Sequence, residues 1–451
     1  MRFYHIYPLG FCGAPHQADF QSEPTPRLRE VTAHLDYVRA LGFDALYLGP
    51  LFASSSHGYD TADYLAVDRR LGTNEALAEL VRRAHGLDIK VVLDGVFNHV
   101  GRDFWAFTDL REKREASEYH SWFRNVRFDS DNRFGDGLVY DGWEGVEELV
   151  ELNHEEPAVR AHLIGAAERW IDEFGIDGIR LDVAYALPFS FLDELSQRVH
   201  AKRDGFFLLG EVIHGDYASF LEQGRLDSIT NYECYKGLWS SCNDANLFEI
   251  AHSLGRLFAS GGLFDDAMRR GKLPYNFSDN HDVDRLATSL HDKRHLFPAL
   301  ALLWGMPGHP SIYYGSEFGI EGAKSDGDAG LRPTWAEVEK KSVSGGVIEP
   351  GDVRDFTSTL NELRQAHPVL LGGSYEKLAL DNTSLAFMRT GVNGERVVIA
   401  INIAPKPTTI HVPEAGHGRY RSLFAGQEVV LDPDNGIELP GFGSAWLATR
   451  A

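Results

Sequence analysis

The stretch EALAELVRRAHGLDIKVVLDGVFNH, Glu75–His99, holds the repeating unit of the fold. In its first half Leu77, Leu80, Val81 and Ala84 fall on one face at helical spacing, and Gly86 can close the helix. Val91–Asp94 is then a short apolar run that reads as a buried strand, ending in a charge and followed by Asn98 and His99. A helix, a buried strand and polar residues at the strand's exit form the building block of parallel α/β folds.

Similar apolar runs recur at Phe3–Ile6, Ala45–Leu48, Gly178–Leu181, Phe207–Leu209, Ser228–Thr230, Tyr275–Phe277 and Ser311–Tyr313. Amphipathic stretches separate them. In EEPAVRAHLIGAAERWIDEFG, for example, Pro157 suits a first turn and Gly175 a C-terminal cap. Eight such units predict a (β/α)8 barrel, occupying residues 1–97 and 154–371. Residues 98–153, rich in Arg, Asp, Gly and aromatics with little helical period, read as a small domain inserted after the third strand. From 372 to 451 short alternating runs such as SLAFMRT and RVVIAINI, punctuated by Gly, Pro and Asn, predict an antiparallel β-sandwich.

Bulk properties narrow the function. A chain of 451 residues exceeds one compact core, and a net charge of −22 opposes binding to nucleic acid or an anionic membrane while leaving a neutral sugar indifferent. Cys12, Cys234 and Cys242 are too few and too scattered for a disulfide framework or a zinc site. No leader or membrane-length apolar run is visible, so a reducing cytoplasm is the expectation.

Barrel chemistry sits at the C-terminal ends of strands. Four ends carry polar clusters: Asp94 with Asn98 and His99, Arg180 with Asp182, Glu211 alone, and Asn280 with His281, Asp282 and Arg285. One acidic strand end is usually a cap or surface group, but four together suit acetal chemistry. A carboxylate can trap the oxocarbenium-like centre while a protonated carboxyl hands its proton to the leaving oxygen, the two groups lying about 5–5.5 Å apart in retaining enzymes. Asp182 and Glu211 end adjacent predicted strands, which fits that separation. Arg180 shares a strand face with Asp182 and is expected to keep it ionised. Glu211 follows the dry run FFLLG with no cation nearby in sequence, so it is expected to stay protonated. Asp182 then attacks, Glu211 donates, and Asp282, His99 and His281 hold sugar hydroxyls. A metal-dependent barrel hydrolase is the competing reading, but His5 lacks a second histidine two residues on.

At these residues the chain resembles the α-amylase family of retaining α-glycoside hydrolases and transglycosylases. DGVFNH, GIRLD, GEV and FSDNHD resemble the family's four main motifs in order, ELN at Asn153 a fifth, and MPGHPSIYYGSEFGIEG its eighth-strand stretch. The resemblance implies a nucleophile at Asp182, an acid/base at Glu211 and a transition-state stabiliser at Asp282. It also implies a sugar-binding set of Tyr59, Asp60, His99, Arg180 and His281, to which Arg285 and the aromatic Trp143 are added. Many relatives hold calcium beside the inserted domain, and Asn98 matches one ligand position; Asp103, Asp129 and Asp136 read as ordinary loop residues. Catalysis itself requires no cofactor.

Within the family, GRDFWAF, FGDGLVY, YDGWEG and TNYECYKGLW are most similar to the cyclomaltodextrinase, neopullulanase and maltogenic amylase group. The chain departs from that group in beginning its first strand at Phe3, without an N-terminal β-domain, which leaves a homodimer open. It also has Ile213 where an aromatic is usual, Tyr185–Ala186 in place of Asn-Glu, and Val150–Glu151 in place of Pro-Lys. These changes fall on the leaving-sugar side and predict a compact hydrolase of small malto-oligosaccharides, cyclic ones and α-1,6 links included. A glucosyltransferase of the same family and a non-catalytic sugar-binding relative are the alternatives. Trp105 and Trp122, like Trp143, are candidates for stacking on glucose or for the inserted domain's own core.

Overall fold

The computed structural model describes residues 1–341 and 347–449. Eight strands are named here in chain order: β1 Phe3–Ile6, β2 Ala45–Leu48, β3 Lys90–Gly95, β4 Gly178–Leu181, β5 Phe207–Gly210, β6 Ser228–Ile229, β7 Tyr275–Phe277 and β8 His309–Tyr313. They form one sheet in the order β6-β5-β4-β3-β2-β1-β8-β7. A parallel bridge between Thr230, the residue after β6, and Tyr275 of β7 links the two ends of that order. This is the (β/α)8 barrel expected from the sequence, with no strand end moved by more than two residues. The strands are buried almost throughout, as uninterrupted apolar runs require when both faces of a parallel sheet are covered.

Compactness divides the chain into two units. One comprises His5–Arg39 and Asp44–Ile229. In it β2 pairs with β3, β3 with β4, β4 with β5 and β5 with β6, all parallel. The helix Asn74–His85 begins where the Thr73 side chain accepts from the Ala76 N–H, and it buries Leu77, Leu80, Val81 and Ala84. The helix Pro157–Phe174 starts on its proline and stops at Gly175, whose φ of 72° places it in the left-handed region. Strand His99–Gly101 pairs antiparallel with Leu149–Glu151, so the segment between β3 and the helix Pro157–Phe174 leaves and returns through one small ribbon. Gly101 permits this, since a Cβ there would lie 2.3 Å from the Asp60 carbonyl oxygen.

The other unit comprises Met1–Tyr4, Ala40–Phe43 and Thr230–Ala451. It contains the parallel pair β7–β8 and two antiparallel sheets. The larger orders its strands Ser374–Leu380, Ser384–Thr390, Arg396–Asn402, Ser444–Thr449, Gly418–Ser422 and Glu428–Leu431. The smaller pairs Thr408–Ile410 with Ile437–Leu439. Met388, Val398, Ala400 and Leu447 of the first sheet share a core with Ile410, Ile437 and Leu439 of the second. No helix among the described residues is long and apolar enough to cross a membrane.

Candidate active site

Strand register assembles the first group of polar residues. β3 and β4 pair so that Asp94 stands opposite Arg180, and β4 and β5 so that Arg180 stands opposite Leu209. The parallel ladder then continues: the Asp182 N–H donates to the Gly95 carbonyl at 3.1 Å and the Glu211 N–H to the Leu181 carbonyl at 2.9 Å. Both carboxylates therefore leave their strands at one level.

Arg180 gathers them. Its Nη1 donates to Asp94 Oδ1 at 2.9 Å and to Asp182 Oδ1 at 2.8 Å, and its Nη2 pairs with Glu211 Oε1 at 2.9 Å. Asp94 is fixed from its other side by the hydroxyls of Tyr47 and Tyr59, at 2.7 and 3.0 Å. Glu211 Oε2 accepts the Val183 N–H at 2.9 Å. Val183 achieves this at φ 40°, a strained conformation for a β-branched residue that persists where the chain following Asp182 must turn sharply.

This geometry corrects two sequence expectations about charge. Arg180 does not single out Asp182, because its long side chain also reaches Glu211 on the next strand. Nor does its charge dominate Asp182: burial pushes that carboxyl well above the usual carboxylate range, Arg180 opposes the rise, and Glu211 and Asp94 add to it. Arg180 is also spent on these partners, so it organises the carboxylates and is not aimed at a sugar.

Around them stand groups with spare hydrogen-bonding capacity. His99 Nε2 lies 3.9 Å from Asp182 Oδ2, and burial pushes the imidazole down to about 3, which keeps it neutral. The Asn98 amide donates to Nδ1 at 3.3 Å, which leaves the ring proton on Nε2. His99 Nε2, Asp60 Oδ1 and Trp143 Nε1 are buried polar atoms with no hydrogen-bond partner among the described residues. Such atoms are costly unless a ligand completes them. The Trp143 ring stands 5.6 Å from that of His99. Trp105 and Trp122 instead pack, 5.4 Å from one another, with Tyr119 of the inserted segment and His162 of the helix Pro157–Phe174.

The second group belongs to the loop after β7. His281 Nε2 contacts Asp282 Oδ2 at 2.9 Å, and Arg332 Nη2 donates to Asp282 Oδ1 at 3.0 Å. Arg332 also donates from Nε to the His281 carbonyl and pairs through Nη1 with Asp328. Sequence reasoning missed Arg332 because nothing local connects it to an aspartate fifty residues upstream. Arg285, expected at the substrate, is a correction. It is fully buried, its guanidinium donates to the Tyr314 and Leu331 carbonyls and to Ser316, and it lies over the Tyr313 ring at 4.1 Å. It braces the loop from inside.

A calcium ion would want several convergent oxygen donors. The Asn98 amide is turned toward His99, Asp103 accepts from Ser55, and Asp136 is held by Arg102 and Asn132. Among the described residues no cluster of three or more His, Cys, Asp or Glu side chains could hold a metal. These residues do not fit a calcium site. The three cysteines are free and buried.

A parallel barrel with buried carboxylates arrayed on one arginine at its strand exits suits the two-carboxyl chemistry of a glycoside hydrolase. Residues 6–362 match the family described as alpha amylase, catalytic domain, and the chain belongs to the α-amylase family. It is similar to a cyclomaltodextrinase of a Bacillus species, 33% identical over 410 residues that span 86% of this chain and 70% of that one. To neopullulanase 2 of Thermoactinomyces vulgaris it is 32% identical over 460 residues, 94% of this chain and 73% of the relative. Among solved structures it resembles the cyclic α-maltosyl-(1→6)-maltose hydrolase of Arthrobacter globiformis. There the TM-score is 0.83 at 28% identity, and the match covers 100% of this chain and 98% of that one.

Proposed function

We propose that the chain cleaves α-glucosidic bonds of small malto-oligosaccharides, cyclic ones included, with retention of anomeric configuration. One observation carries the reading: a single guanidinium, that of Arg180, holds Asp182 and Glu211 at 2.8 and 2.9 Å. Two carboxyl groups pinned to one cation are close enough to act on opposite sides of one anomeric carbon.

In the first step an Asp182 oxygen bonds to the anomeric carbon as the glycosidic C–O bond breaks, and Glu211 gives its proton to the departing oxygen. In the second, Glu211 takes a proton from water, whose oxygen displaces Asp182 and returns the α-anomer. The allocation of roles follows the family motifs that GIRLD and GEV match. His99 Nε2, Asp60 Oδ1 and Trp143 Nε1 supply the unfilled donors and acceptor for the hydroxyls of a glucose. The motif FSDNHD supports a stabilising role for Asp282, whose carboxylate His281 and Arg332 hold. No step needs a metal.

The net charge of −22 supports a neutral substrate over nucleic acid or an anionic surface, and three buried free thiols support a reducing cytoplasm. The substrate range draws support from the activities named for the cyclomaltodextrinase, neopullulanase and cyclic maltosyl-maltose hydrolase relatives. Initial rates on a cyclodextrin, pullulan, soluble starch and cyclic maltosyl-maltose test it. The cyclic or short substrates are expected to lead; a marked preference for starch would overturn it.

A further inference from the structure

The two catalytic carboxylates are each followed, three residues later, by a ring. Tyr185 lies in the 3-10 turn Ala184–Ala186 after Asp182, and His214 in the loop after Glu211. Those rings pack together, centroids 5.0 Å apart at 43°. The Tyr185 hydroxyl donates to Glu144 Oε1 at 3.3 Å. Glu144 reaches it from the inserted segment, in a left-handed conformation with φ 49° and ψ 30°. Its neighbour Trp143 stands against His99, which faces Asp182. Residues 143 and 144 thus run from the His99 side of the carboxylates to the Tyr185 side. Burial, Glu144, Glu211 and Asp182 together raise the Tyr185 hydroxyl above its ordinary range, which places the ring in the field of the catalytic pair.

Chemistry says what this edge would meet. The acid/base protonates the leaving oxygen, so the leaving sugar lies beside Glu211 and the residues that follow it. Ile213 there is 43% exposed and offers no ring of its own. Tyr185 supplies the aromatic surface on this side, and Glu144 a carboxylate that can accept from sugar hydroxyls. We propose that Tyr185, held by Glu144 and backed by His214, is the specificity-determining residue for the glucose unit on the leaving-group side. The same ring receives the incoming sugar when transfer competes with hydrolysis, since acceptor and leaving group occupy one place by microscopic reversibility. This rests on the glycosidase reading above and names the residues that recognise the second sugar.

The test compares maltotriose with α-maltosyl fluoride, whose leaving group is fluoride and occupies no sugar site. For Tyr185→Ala the ratio of kcat/KM on maltotriose to that on the fluoride should fall about tenfold, a typical loss for one ring contact. Tyr185→Phe and Glu144→Gln should lower the ratio by a few-fold, and transfer to added glucose should decline in step. An unchanged ratio in Tyr185→Ala, whether both rates hold or both fall together, overturns the proposal. Failure of the wild-type protein to turn over α-maltosyl fluoride would instead remove the glycosidase reading, and this proposal with it.

Discussion

Replacing Arg180 is the most informative perturbation of the site. Its guanidinium spans Asp94 and Asp182 with one nitrogen and Glu211 with the other. A lysine presents one compact ammonium on a shorter reach and cannot serve both ends. At least one carboxylate then loses a charge-assisted hydrogen bond, each worth roughly 1.5–3 kcal/mol. If that bond orients a reacting group in the transition state, kcat/KM for Arg180→Lys falls by about 10- to 100-fold, mostly in kcat. Arg180→Met goes further and leaves three buried carboxylates without a cation. Breaking such a buried pairing typically costs about 3–5 kcal/mol near neutral pH. The sign with pH follows from linkage. Burial already raises the Asp182 carboxyl and Arg180 opposes that rise, so without the cation it rises further, the native state binds more protons than the unfolded one, and stability falls as pH rises. The deficit of Arg180→Met in urea unfolding should therefore be larger at pH 8 than at pH 5. Steady-state kinetics from pH 4 to 9 and paired unfolding curves read both effects. A lysine variant within threefold of wild type with an unaltered pH profile would refute the reasoning.

Other outcomes follow from single contacts. His99→Ala removes a neutral donor 3.9 Å from Asp182 and should lower kcat/KM by about 10- to 100-fold while leaving thermal stability within a few degrees, as kinetics and calorimetry would show. Glu317 is fully buried, accepts from the Tyr4 hydroxyl at 2.7 Å, and is raised by burial to about 7. It keeps its proton in the native state while the unfolded state loses one, so stability should decline as pH rises from about 4.5 to 7, by up to about 3 kcal/mol. Glu317→Gln should flatten that slope, and an equally steep decline in the variant would show that another group is responsible. Trp143→Ala should raise KM for short oligosaccharides several-fold, because its ring and its unfilled Nε1 border His99; an unchanged KM would place the ring outside the sugar site.

The barrel was legible because each strand is an apolar run with polar residues at its exit, as in VVLDGVFNH, and this pattern needs no tertiary information. The placement of Asp182 and Glu211 at neighbouring strand exits was legible for the same reason. What escaped depends on where long side chains turn. The i, i+2 relation of Arg180 to Asp182 was correct, yet the guanidinium also reaches Glu211, a contact set by register between strands and not by sequence. Arg285 sits three residues after Asp282 and so read as part of the site, but its guanidinium turns inward to the carbonyls of Tyr314 and Leu331. It is Arg332, fifty residues on, that pairs with Asp282, while it also pairs with Asp328 four residues before it. Of three tryptophans in the inserted segment only Trp143 borders His99, because Trp105 and Trp122 are taken up in their own aromatic cluster.

The covalent step is open to direct observation. In Glu211→Gln, α-maltosyl fluoride needs no acid to leave but the resulting ester lacks the base that would release it, so a glycosyl-protein should accumulate. Intact mass should rise by one maltosyl unit, and peptide mapping should place the label on Asp182. A label on another residue, or β-maltose as the first product of the wild-type protein, would contradict the account.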